Sequence, residues 1–181
     1  MPLFVNGTNS PFPTGSNPVS VATADLNGDG HLDLLTTNYI SGNVSVLLGN
    51  GHGSFNASTP VPVTNGPREI KVGDLDGDGD IDFLATNYSG NNVTIARNNG
   101  NGTFVTTSVA VRTVPRGLAV GDLDGDGDLD FVAANYVSNT VSVLLNNGAA
   151  SFSNTTGSPI PVGAGRPRWR WRSRYRDQQL R

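Results

Sequence analysis

Cysteine is absent from the 181 residues, so disulfides, a thiol nucleophile and any thiolate-based zinc site are excluded. Glutamate occurs once (Glu69), methionine once and histidine twice (His31, His52). Glutamate and histidine, two of the usual general acid–base side chains, are therefore scarce. No run of 18 apolar residues exists, so no helix of the chain can span a membrane. Aromatic residues make up only 7%, and both tryptophans lie beyond Pro167. The opening residues, Met1 to Thr8, lack the basic start and apolar stretch of a signal peptide. What is plentiful is Gly (23) and Pro (11), with many Asn, Ser, Thr and Val, a composition of short strands and tight turns.

Against that background one residue type is concentrated. Of 14 aspartates, 13 fall in three nonapeptides: Asp25-Leu-Asn-Gly-Asp-Gly-His-Leu-Asp33, Asp74-Leu-Asp-Gly-Asp-Gly-Asp-Ile-Asp82 and Asp122-Leu-Asp-Gly-Asp-Gly-Asp-Leu-Asp130. Two carboxylates 4 Å apart repel by roughly 4 kcal/mol at an effective dielectric near 20, so such loops call for a cation. The pattern D-x-[DN]-x-D-G-x-x-D places oxygen ligands at the first, third, fifth and ninth positions and a backbone carbonyl at the seventh. The expected ligands are Asp25, Asn27, Asp29, the His31 carbonyl and Asp33 in the first loop. In the second they are Asp74, Asp76, Asp78, the Asp80 carbonyl and Asp82. In the third they are Asp122, Asp124, Asp126, the Asp128 carbonyl and Asp130. An all-oxygen shell favours Ca2+ over zinc or copper, with one ion expected per loop. An EF-hand is excluded, because its twelfth position should be a bidentate Glu and here stand Thr36, Ala85 and Ala133.

The loops recur at intervals of 49 and 48 residues, and their flanks recur with them. Pro18, Pro67 and Pro115 lie seven residues before each loop; Asn38-Tyr39, Asn87-Tyr88 and Asn135-Tyr136 follow each. Then come alternating strands such as Val44-Ser-Val46, an Asn-Gly or related turn, and Phe55, Phe104 or Phe152. Each unit reads as four antiparallel strands with the acidic loop between the first and second. Four-stranded units at this spacing predict an all-β protein of β-propeller blades. The expected blades are 18–66, 67–114 and 115–165, with residues 1–17 ending a preceding blade. Three blades do not close a ring, so the expectation is an incomplete propeller or one completed by another chain through its open blade edges.

The loop and its blade period resemble FG-GAP/VCBS repeats, the calcium-bearing propeller blades of integrin α-subunits and many bacterial secreted proteins. The likeness covers about residues 18–165. It implies a fragment of a secreted protein, extracellular or at the cell surface, with calcium in each loop. Such blades serve adhesion, sugar binding or as appendages of enzymes.

The formal net charge of −3 conceals a division. Residues 1–165 carry five basic and 14 acidic groups, a net of −9, which repels nucleic acid. Residues 166–181 carry seven Arg and one Asp, a net of +6. That Arg/Trp tail departs from the repeat, which predicts a Val-Ala strand there. It reads either as a shifted frame, since alternating CGG and TGG codons read one base on encode Val-Ala, or as a cationic aromatic segment. Tyr39, Tyr88 and Tyr136 read either as blade residues packed at a hairpin or as sugar-stacking platforms. His31 and His52 have no nucleophile beside them in sequence. The function expected is a non-catalytic, calcium-binding extracellular scaffold for adhesion or for binding protein or glycan. A lectin-like module and an appendage of a secreted enzyme are the alternatives.

Overall fold

The computed structural model describes residues 10–163. The beginning of the segment 1–17 and the tail 166–181 lie outside the described residues. Among the described residues, fourteen strands form three antiparallel sheets in chain order. The first sheet comprises β1 (Pro18–Ala24), β2 (Asp33–Asn38), β3 (Asn43–Gly49), β4 (Phe55–Ala57) and β5 (Val61–Pro62). The second comprises β6 (Pro67–Gly73), β7 (Asp82–Asn87), β8 (Asn92–Asn98) and β9 (Phe104–Ala110). The third comprises β10 (Pro115–Gly121), β11 (Asp130–Asn135), β12 (Thr140–Leu145), β13 (Ser153–Asn154) and β14 (Ile160–Pro161). Each is a meander in which sequential strands pair, the four-strand unit of a β-propeller blade.

The fourth strand is continuous only in the middle blade. There Phe104–Ala110 contains neither Pro nor Gly and pairs with β8 over its whole length. In the first blade Pro60, which has no N–H to give the ladder, falls between β4 and β5, and both pieces pair with β3. In the third blade Gly157 and Pro159 separate β13 from β14 in the same way, both on β12. At the opposite edge, each first strand begins at the repeated Pro and has a register shift immediately after it. The spare amides of Ser20 and Glu69 at two of these bulges donate to the Thr37 and Thr86 hydroxyls, both at 3.0 Å.

The core lies between blades rather than within one. Successive residues on a strand face opposite ways, and the middle blade uses both faces. Ile70, Phe83, Ala85 and Ala96 pack with Leu35, Val44 and Val46 of the first blade. Leu84, Val93 and Ile95 pack with Leu118, Phe131 and Leu144 of the third. The second-position leucines of the acidic loops are the knobs of these interfaces: Leu26 is 1% and Leu75 2% exposed. Leu123, at the same place in the third loop, is 50% exposed, because no described blade follows it.

Candidate metal centre

Each acidic loop is folded by its own first aspartate. Asp74 Oδ1 accepts the Gly77 N–H at 2.8 Å and its Oδ2 accepts that of Gly79 at 3.0 Å. Asp122 does the same with Gly125 and Gly127, and Asp25 with Gly28 and Gly30. The fifth-position carboxylate then accepts the amide two residues on: Asp29 from His31, Asp78 from Asp80 and Asp126 from Asp128, at 2.8 to 2.9 Å. These bonds curl the chain so that acidic side chains converge. Carboxylate oxygens of Asp74, Asp76 and Asp78 lie within 4.8 Å of one another, as do those of Asp122, Asp124 and Asp130.

The first loop is different. Asp25, Asp29 and Asp33 form no such three-carboxylate group among the described residues. Asn27 takes the third position, and its Nδ2 donates to Asp29 Oδ2 at 3.1 Å, so an attraction stands where the other loops have a repulsion.

The ninth-position aspartates, Asp33, Asp82 and Asp130, are completely buried. Each joins the beginning of its loop to the end of the third strand. Asp82 Oδ2 accepts from Leu75 N at 3.0 Å and Oδ1 from Asn98 N at 2.7 Å. Asp33 is held by Leu26 N and Gly49 N, and Asp130 by Leu123 N and Asn146 N, at 2.7 to 2.9 Å. A charge so placed is a structural latch whether or not it also meets an ion. The seventh-position side chains, His31, Asp80 and Asp128, lie over the turn between third and fourth strands. A Cβ on Gly51, Gly100 or Gly148 would come within 2.6 to 2.8 Å of them.

Two further residues belong to this network. Asn98 Nδ2 donates to the Leu26 carbonyl of the preceding blade at 2.8 Å, and Asn146 Nδ2 to that of Leu75 at 2.7 Å. A hydrogen-bonded path therefore runs from Asp33 through Leu26, Asn98, Asp82, Leu75 and Asn146 to Asp130, linking all three loops. Sequence reasoning passes over Asn98 and Asn146 as turn residues. Their signal is a constant separation of 16 residues from the ninth aspartate, with Gly49 at the same place in the first blade.

The electrostatics fit a cation. Burial, and then the neighbouring Asp78 carboxylate, raise the pKa of Asp76. Loss of water contact, and then Asp126, raise that of Asp124. Burial pushes Asp82 up to about 6, against the opposing pull of its two backbone donors. The Gly30 amide, against some desolvation, holds Asp25 below the usual range. Arg97 stands 3.8 Å from Asp76 Oδ2, yet Asp76 Oδ1 is buried with no hydrogen-bond partner. An orphaned, buried carboxylate oxygen beside two other carboxylates is what a bound ion would satisfy. The donors are all oxygen, so these residues suit calcium.

On the opposite rim, Tyr39, Tyr88 and Tyr136 sit where the second strands end. Arg68 lies 6.0 Å from the Tyr39 ring centroid and 5.4 Å from that of Tyr88. Arg116 lies 5.4 Å from Tyr88 and 3.7 Å from Tyr136. Tyr39 and Tyr88 are thus half-buried at the hairpins with guanidinium groups against their rings, whereas Tyr136, with Arg116 over its ring, is 59% exposed.

The architecture is similar to that of solved propeller structures. Two are crystal structures of BBS1N in complex with ARL6DN. The one soaked with mercury has a TM-score of 0.55 at 17% identity, covering 82% of this chain and 46% of that one. The one soaked with lead has a TM-score of 0.52 at 14% identity, covering 77% and 43%. The chain spans under half the length of these relatives. No curated protein sequence matches it. The model of the FG-GAP-like repeat matches residues 3–36, 25–85, 74–133 and 122–171. With the repeat matched across nearly all of its length, and its acidic loops set at the blade hairpins, the chain belongs to the FG-GAP-like repeat family.

Proposed function

We propose that the chain is a calcium-pinned, non-catalytic propeller segment that works outside the cell as a scaffold for binding another protein. The observation that carries the calcium reading is the convergence of Asp74, Asp76 and Asp78 around a buried, unpartnered oxygen. Asp74, Asp76 and Asp78 would hold the ion in the second loop, and Asp122, Asp124 and Asp130 in the third. Calcium neutralises the loop and fixes the hairpin that carries the leucine knob, so the ion stabilises the contact between blades. An ion bound only by the folded state contributes about 2.7 kcal/mol at a hundred times its Kd. For an extracellular module the expected affinity is in the range of about 10⁻⁴–10⁻³ M. Protein binding is supported by the fold: the similar BBS1N structures hold a protein partner.

Thermal unfolding with calcium, with magnesium and after chelation tests the reading. Calcium is expected to raise the midpoint by several degrees and magnesium to do much less. An unfolding midpoint indifferent to calcium at millimolar concentrations would overturn it. Light scattering in the same buffers reports whether chains associate through their open blade edges.

A further inference from the structure

The scaffold reading leaves open which surface meets the partner. We propose that the Tyr39–Arg68–Tyr88–Arg116–Tyr136 ladder is that surface, and that it binds an acidic, extended segment of a partner protein through carboxylate groups. This inference rests on the protein-binding reading above and adds the place and the chemistry.

The ladder is on the rim away from the calcium loops. Arg68 and Arg116 begin the first strands β6 and β10, whereas the loops leave from the far ends of those strands. A seven-residue strand spans about 23 Å, so the two rims are well separated. First strands of neighbouring blades lie side by side, and the ladder passes across both junctions at their starts.

Charge sorts between the rims in the same way. The described residues hold five basic and 14 acidic groups, a net of −9, and 13 of the acids are in the loops. Among the described residues Lys71 is paired with Glu69 at 2.7 Å and Arg97 with Asp76 at 3.8 Å. Arg68 and Arg116 enter no ion pair among the described residues. Arg116 Nε is buried without a hydrogen-bond partner, so a carboxylate would be met by the terminal nitrogens of this guanidinium.

A guanidinium stacked on tyrosine rings keeps its in-plane N–H groups for recognition. They form a rigid fork that matches a carboxylate with two parallel bonds, and partial desolvation by the rings strengthens the pairing. The arrangement argues for a peptide over a sugar. Tyr88 has two guanidiniums 5.4 Å from its ring centroid and meets Tyr39 edge-on at 5.9 Å, which crowds it as a seat for a pyranose, and the exposed Tyr136 already carries Arg116 at 3.7 Å. The net −9 of the body opposes any polyanion, and it opposes a polyphosphate, with its denser charge, more than a peptide whose carboxylates are spaced along an extended strand.

The test uses the whole chain with calcium and a fluorescent synthetic peptide of alternating Glu and Gly, with a Gln–Gly peptide as control. Anisotropy at physiological ionic strength, where a Debye length of about 8 Å screens the ladder from the acidic rim, should show binding of the first peptide only. Arg68→Gln and Arg116→Gln should each weaken it at least tenfold, and Lys71→Gln should change it less than twofold. Because the arginines also support blade packing, a second readout uses the unaltered protein. The Nε–Hε resonances of Arg68 and Arg116 should shift on adding the Glu peptide while that of Arg97 stays in place. Stationary Arg68 and Arg116 resonances, an equal loss in Lys71→Gln, or binding of a uronic acid oligosaccharide in preference to the peptide would each overturn the proposal. A protein partner whose affinity is unaltered in both arginine variants would remove the ladder as the surface while leaving the scaffold reading intact.

Discussion

Asn98 donates its side-chain amide to the Leu26 carbonyl across the junction of the first two blades, at 2.8 Å, while its own N–H is held by Asp82. One residue thereby ties the acidic loop of one blade to the latch of the next. Replacing it with Ala leaves a buried carbonyl without a donor, which costs about 1–3 kcal/mol. Urea unfolding of Asn98→Ala should show that loss. Calcium titration should also show the first two loops responding more independently, because the bonded path between them is cut. Asn146→Ala should act alike at the second junction.

The latch and the ligand are separable by mutation. Asp82→Asn presents an amide where two backbone N–H groups need oxygens, so at about pH 4.5, where the native carboxyl is neutral, it should destabilise the metal-free protein by about 1–3 kcal/mol. Asp76→Asn removes a carboxylate whose Oδ1 has no protein partner. It should leave the metal-free protein as stable or more so and weaken calcium binding at least tenfold. Parallel unfolding and calorimetric titrations of the two variants check the distinction.

The pH dependence follows from the buried latch. The folded-state pKa of Asp82, about 6, lies above its ordinary 3.8, so folding takes up a proton between those values. The stability this group supplies is complete below about pH 4 and is lost as pH rises through 6. The metal-free chain should therefore weaken from pH 4.5 to 6.5, and Asp82→Asn should flatten that slope. With calcium the trend should reverse, because ligating carboxylates must be deprotonated. Denaturant midpoints across that range give the sign directly.

Asn27 makes the first loop the odd one. It has one carboxylate fewer among the expected ligands, and the Asn27 amide bonds Asp29. Titration calorimetry should resolve a weaker first site beside two others. Asn27→Asp should strengthen calcium binding there and lower metal-free stability, as a carboxylate repulsion replaces the bond.

Val114 precedes the third repeated Pro with a φ of 59°, where the other blades place Asn17 and Gly66. A β-branched residue in the left-handed region stores roughly 1–2 kcal/mol of strain. Val114→Gly relieves it at some entropic cost and Val114→Asn at less. Thermal midpoints should rise by a few degrees, more for Asn than for Gly.

Much of the blade was legible in the chain. The alternation in Asn43-Val-Ser-Val-Leu-Leu48 and its copies marks a strand because side chains on a sheet have a period of two. The acidic loops declare themselves because so many carboxylates have no other reason to be adjacent. The divided fourth strands follow from Pro60, Gly157 and Pro159, local features that the four-strand reading of each unit passed over. Asn98, Asn146 and the loop leucines were illegible because their partners lie a blade away, some 70 residues along the chain. The three tyrosines are equivalent in the repeat, and only the stacking of blades half-buries Tyr39 and Tyr88 and leaves Tyr136 exposed.

By itself the sequence determined the repeat, the strand pattern and the all-oxygen loops, because these arise from neighbours along the chain and from side-chain chemistry. Only the tertiary structure decided which aspartates are latches, which residues connect the loops, and that Arg68 and Arg116 stand among the tyrosines. Those depend on how one sheet lies upon the next. That stacking buries Leu26 and Leu75 and leaves Leu123 in solvent, although the three occupy the same place in the repeat.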